Sequence, residues 1–172
     1  MPVHKIVYLP HAALRQIAKP VEHFDDYLAK LIDDLFATMY AAKGVGLAAP
    51  QVGISLRLAV IDVKGDQTEQ FTLINPEIIA VAGEAKYQEG CLSVPGAYDT
   101  VVRAARVSIK ALDRFGKPFN LTADGLLGEC IQHEIDHLNG KLFIDLLSPL
   151  KRAIARRKLA KLQREYAKKF VR

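Results

Sequence analysis

The sequence predicts an α+β fold: short, mostly antiparallel sheets packed around a central helix, with one helix ahead of them and a basic helix at the C-terminus. Three observations carry this reading. Leu28, Leu31, Ile32, Leu35 and Met39 recur at helical spacing near the N-terminus, and Leu127, Ile131, Ile135 and Leu138 do so much later. Between these blocks lie short apolar or alternating runs, each closed by Gly, Pro, Asn or Asp. Strands joined by short hairpin-like turns, with the helices kept apart from them, give α+β rather than a parallel α/β sheet.

The elements follow in chain order. Val7-Tyr8-Leu9-Pro10 ends in a proline break, and residues 12–18 suit a short helical turn. Asp25 opens the first helix, whose apolar face is expected to pack against the central helix, and Gly44 marks its end. The segment Gly44 to Gly53 holds three glycines, two alanines and a proline in ten residues, so it needs unusual backbone angles or close approach of another chain segment. It reads either as a tight turn with Gln51 exposed, or as a wall where an extended ligand lies against Val45 and Gly46 while the Gln51 amide donates a hydrogen bond. Strand-like runs follow at residues 56–63, 71–74 and 77–81, with a break at Asn75-Pro76. Val107, Ile109 and Ala111 then alternate with charged or polar residues, and a short strand near residues 119–121 leads to Asp124, the expected N-cap of the central helix.

Composition limits what such a fold can do. A chain of 172 residues, half of them hydrophobic and a quarter charged, suits one folded domain over residues 1–172. No apolar run approaches the ~20 residues of a membrane span, and the N-terminus lacks the apolar core of a secretory signal. Cys91 and Cys130 are too few for a disulfide framework and suit a reducing, cytoplasmic setting. The net charge of +5 is uneven: residues 151–172 hold ten Lys or Arg against Glu165 alone, which leaves the rest of the chain mildly acidic.

The chemistry points to the central helix, in Gln132-His133-Glu134-Ile135-Asp136-His137. Two histidines four apart on a helix face the same way, their Cβ atoms about 5–6 Å apart, which lets both rings bind one ion. With about 100° per residue, Glu134 lies at the edge of that face, within reach of a water but not forced to become a ligand. A catalytic ion needs a third protein ligand. A third histidine three residues beyond Gly140 would extend the pattern, but that position is Phe143. Cys130 shares the face, yet it is seven residues from His137, about 10.5 Å along the axis, too far for both to reach one ion comfortably. A thiolate at Cys91 can approach from the opposite side. Cys130 then becomes a pocket wall beside Leu126.

Three stretches, Gly44-Val45-Gly46-Leu47-Ala48-Ala49-Pro50-Gln51, Glu89-Gly90-Cys91-Leu92-Ser93 and Gln132-His133-Glu134-Ile135-Asp136-His137, resemble the three motifs of the bacterial peptide deformylases in content, order and separation. The resemblance implies an enzyme that hydrolyses the N-formyl group from the initiating formyl-methionine of new polypeptides and releases formate. It implies that Cys91, His133 and His137 hold one divalent metal with water in the fourth position, and that Glu134 handles the proton. Gln51 and the backbone N–H of Leu92 would stabilise charge on the former carbonyl oxygen. Val45, Leu126 and Cys130 are the candidates for an apolar slot for methionine, with the rest of the peptide extended against Gly46 and Gly90. Donor softness alone suits zinc, whereas the resemblance implies Fe2+ in vivo, with Zn2+, Ni2+ or Co2+ also able to bind.

The tail opens with Ser148 as N-cap and Pro149 at the first helical position. Ala155, Leu159, Leu162, Tyr166 and Phe170 make one apolar stripe, and Lys or Arg occupies much of the remaining surface. It reads either as a solvated last helix packed on the body or as a docking element. The resemblance implies docking on the ribosome near the exit of the nascent-chain tunnel, with no membrane and no DNA partner. Two other readings stay open: a zinc metallopeptidase, and a non-catalytic ribosome- or RNA-binding module with a structural metal.

Overall fold

The computed structural model describes residues 2–170, with side chains through Lys168. A 3-10 turn at Ala12–Arg15 precedes helix α1 (Asp26–Ala41). Five strands follow: β1 (Gly46–Ala48), β2 (Leu58–Ile61), β3 (Phe71–Cys91), β4 (Val94–Leu112) and β5 (Pro118–Asp124). They form one antiparallel sheet in the order β1-β2-β3-β4-β5. Helices α2 (Gly125–Leu138) and α3 (Pro149–Phe170) close the chain. The α+β class is as the sequence predicts.

Asp25 caps α1: its carboxylate accepts the Leu28 N–H at 2.9 Å, an interaction that typically contributes ~1 kcal/mol. Strand β2 is buried on both faces, and its alternation sorts the two helices. Leu58 and Val60 join Leu31, Ile32, Leu35 and Met39 of α1, while Ile61 joins Ile131 and Ile135 of α2. The two helices therefore cover opposite faces of the sheet. This corrects the expectation that α1 packs on the central helix: both apolar faces are satisfied by the sheet between them.

Strands β3 and β4, at 21 and 19 residues, are far longer than the short runs expected. The break expected at Asn75-Pro76 is a bulge. Register shifts between Ile74 and Glu77, Asn75 takes φ +49°, and β3 continues. Proline has no N–H to lose there, because the bulge removes it from the ladder. The Asn75 side chain also exchanges two hydrogen bonds with the Val21 backbone, which ties down the N-terminal segment. At the far end the hairpin closes over Leu92-Ser93, with Cys91 paired to Val94.

Strand β5 runs directly into α2, so the central helix is laid across the sheet by its own lead-in strand. Asp124 sits at the N-cap position but its side chain makes no capping bond. It is exposed and lies 3.7 Å from Arg106 instead. The back of α2 is core, with Ile131 and Leu138 fully buried. Ser148 caps α3 through the Lys151 N–H at 3.3 Å. Only the first half of its apolar stripe is covered: Ala155 and Leu159 are buried beside Leu9, Val94 and Phe143, whereas Leu162 and Tyr166 are exposed. Phe170, expected at the end of that stripe, lies outside the described side chains.

Candidate active site

The end of β3 and one face of α2 meet at a single point. Helical spacing sets His133 and His137 side by side, with Nε2 atoms 3.2 Å apart, and the hairpin brings Cys91 Sγ to 3.4 Å from His137 Nε2. All three donor atoms lie within 4.8 Å of one another. Cys130 is not part of this cluster. It is buried, its Sγ faces the Val45 carbonyl at 3.8 Å, and burial pushes its thiol well up, so it stays protonated as a wall should.

The donor set fits a divalent ion. Burial would pull both imidazoles down, but the Cys91 sulfur and the Glu89 carboxylate drive His133 well above its usual value, while burial and the His133 charge drive His137 well below. Two ring nitrogens and a sulfur within 4.8 Å of one another are the donor types and the spacing that a divalent cation takes. His133 Nδ1 is held by Glu89 Oε1 at 2.9 Å, so Nε2 is the ring atom turned into the cluster, free to act as a donor to an ion once it has given up its proton. Glu134 Oε2 is buried with no hydrogen-bond partner among the described residues. Burial raises the Glu134 carboxyl to about 7, against the pull of His133 and Arg103, into the range where one group both accepts and returns a proton.

A cavity of about 560 Å³ opens onto this cluster, and Val45, Gly46, Gln51, Gly90, Leu92 and Leu126 line it, as do Cys91, Cys130, His133 and Glu134. Every site residue read from the sequence is thus brought to one place, the buried His137 through its contacts with Cys91 and His133. Gln51 is buried, not an exposed turn residue. Its Oε1 accepts the Ala48 N–H at 2.9 Å, which turns Nε2 toward Ser93 Oγ at 3.2 Å and Cys91 Sγ at 3.7 Å. Gly46 allows the strand to pass this face of α2: a Cβ there would lie 2.5 Å from Glu134 Oε1 and 2.8 Å from Cys130 Sγ.

Sequence reasoning missed the support behind His133. Arg103, on β4, is buried and donates through Nε and Nη2 to both oxygens of Glu89 and through Nη1 to Asp136 Oδ2 at 2.9 Å. These bonds hold Glu89 ionised despite its burial. Glu89 stands inside the Cys91 motif, but nothing in the spacing of Arg103 marks it. Arg103→Ala strands the Glu89 carboxylate in the interior and should cost about 3–5 kcal/mol of stability, read from chemical denaturation midpoints. Loss of under ~1 kcal/mol would show that water replaces the guanidinium.

An α+β fold that sets a Cys-His-His donor group beside a helix carboxylate, at an open cavity, defines a metal-dependent hydrolase of the His-Glu-x-x-His kind. The family model for polypeptide deformylase matches residues 3–153. The chain belongs to the polypeptide deformylase family. It is 55% identical over 167 residues to a peptide deformylase of Azotobacter vinelandii, covering 96% of this chain and 99% of the relative. Among solved structures, a peptide deformylase from Legionella pneumophila superposes with a TM-score of 0.94 at 66% identity, over 96% of this chain and 98% of that one. The Synechococcus elongatus peptide deformylase in complex with actinonin gives a TM-score of 0.88 at 47% identity, over 92% of this chain and 88% of that one.

Proposed function

We propose that this chain removes the N-formyl group from formyl-methionine at the start of newly made polypeptides, releasing formate, with Cys91, His133 and His137 holding one divalent ion. The observation that carries this reading is the convergence of those three donors beside Glu134, whose buried Oε2 has no hydrogen-bond partner among the described residues. A metal ion bound there would supply Lewis acidity toward a water and the formyl oxygen. Glu134 takes the proton of the attacking water and returns it to the departing amine. The Gln51 Nε2–H and the Leu92 backbone N–H face the charge that builds on the formyl oxygen. Val45, Leu126 and Cys130 receive the unbranched methionine side chain, and the peptide beyond it runs extended along Gly46 and Gly90. Residues 1–172 work as one catalytic unit.

Formate release from a formyl-methionyl peptide, with the unformylated peptide as control, tests the activity. Cleavage of an internal peptide bond without formate would favour a peptidase instead. The metal is Fe2+ by family likeness, and metal analysis of anaerobically purified protein decides between iron and zinc, nickel or cobalt. Gln51→Ala should lower kcat by ~10²–10³ with a smaller change in KM, as loss of one donor to the developing oxyanion does. A raised KM with unchanged kcat would make Gln51 a binding residue.

The ribosome is the second proposed partner, in the cytoplasm and through α3. Among the described residues no helix is long and apolar enough to cross a membrane. Two of the basic side chains are committed to the body: Arg152 donates to the carbonyls of Ile144, Asp145 and Leu147, and Lys151 pairs with Asp99. Arg157, Lys161, Arg164 and Lys168 are exposed and face outward, as phosphate contacts require. Removing the whole helix would also take Ala155 and Leu159 out of the core, so the test is reversal of those four charges to Glu. Co-sedimentation with ribosomes at low salt should be lost while formyl-peptide hydrolysis persists. Unchanged co-sedimentation would leave α3 a packed, solvated helix.

A further inference from the structure

We propose that α3 is a positioning element for the mouth of the cavity: Lys151 and Leu162 hold residues 96–100 so that Tyr98 stays across Gly90 and meets the peptide beyond its first residues. This rests on the deformylase reading. Gly90 and Tyr98 are cross-strand partners at the closed end of the β3–β4 hairpin. The tyrosine ring occupies the space that a side chain at residue 90 would need, since a Cβ on Gly90 would collide with its Cε1 and Cδ1. An aromatic ring over a strand glycine is a favourable pairing. Tyr98 is nevertheless 70% exposed, so burial does not hold it. It lines the cavity with Gly90 and Leu92.

Beyond its ladder to β3, the segment takes support from behind, and α3 supplies several of those contacts. Lys151 Nζ donates to Asp99 Oδ1 at 2.8 Å, and the same oxygen accepts the Thr100 N–H at 2.7 Å. Gly96, at φ +79°, passes so near α3 that a Cβ there would lie 2.9 Å from Leu162 Cδ1. Ala97 and Val101 are buried with Ala155 and Leu159. The residues on either side of Tyr98 are therefore fastened to α3, and the alternation of the strand turns Tyr98 itself toward the cavity. A helix serving only as a solvated end of the chain has no need of these contacts to a segment that forms part of the cavity wall. An extended peptide lying along Gly90 places alternate side chains on alternate sides, so a residue beyond the second meets the tyrosine ring.

The test uses the full-length, metal-loaded protein carrying both Lys151→Ala and Leu162→Ala, because one exposed ion pair contributes little alone. Its substrates are a formyl-methionyl dipeptide and a formyl-methionyl tetrapeptide with an aromatic third residue. The double variant should raise KM for the tetrapeptide roughly threefold to tenfold, leave kcat unchanged, and leave both constants unchanged on the dipeptide. Lys151→Arg, combined with native Leu162, should keep the native KM. In a Tyr98→Ala background the two substitutions should add nothing further, since they act through that ring. An unchanged tetrapeptide KM, full additivity with Tyr98→Ala, or an equal loss on the dipeptide overturns the positioning role. Absence of formate from either peptide with the native protein is a different result and overturns the deformylase reading.

Discussion

Replacing Glu134 with Ala should lower turnover on a formyl-methionyl peptide by ~10²- to 10⁴-fold, the usual cost of losing a positioned acid–base group. Metal content should stay at the native level, because the donor set of Cys91, His133 and His137 does not include this carboxylate. Stability should hold or rise, since Glu134 is buried with Oε2 unpartnered and removing it relieves a desolvated polar group. Low activity, full metal and an undiminished melting temperature are thus expected together. Activity near the native level with metal bound would remove Glu134 from the mechanism. Loss of the metal along with activity would make it a ligand.

Cys91→Ser should abolish activity by a different route, through loss or loosening of the metal. A neutral hydroxyl is a poor substitute for a thiolate, and two imidazoles alone do not retain a catalytic ion. Cys130→Ser should keep the metal, since Cys130 Sγ faces the Val45 carbonyl and not the donor cluster. The measurement is metal-to-protein ratio after dialysis of both variants. Metal retained by Cys91→Ser and lost from Cys130→Ser would reverse the assignment.

Much of the site was legible because helical spacing is a local rule. His133, Glu134 and His137 are placed relative to one another by 3.6 residues per turn before any tertiary contact forms. The same rule excluded Cys130 by its distance along the axis, and the structure sets it against Val45. The burial of Ile131, Ile135 and Leu138 followed from the opposite side of that wheel. Strand extents were not legible in this way. Asn75-Pro76 and Pro95-Gly96 are turn signals locally, yet β3 runs through the first pair and β4 includes the second, because partner strands supply the ladder and bulges absorb the misfits.

The sequence by itself determined the α+β class, the face of α2 that carries His133 and His137, the caps at Asp25 and Ser148 and the basic character of the C-terminal helix, all of them consequences of local periodicity and local hydrogen bonding. Only the tertiary structure decided that α1 and α2 lie on opposite faces of the sheet, that Gln51 is buried with its amide turned to Cys91, and that Arg103 holds Glu89 against His133. Those contacts join residues far apart in the chain. Their partners are fixed by how a 21-residue strand folds back on a 19-residue one, and no spacing within either strand encodes which side chains will then meet.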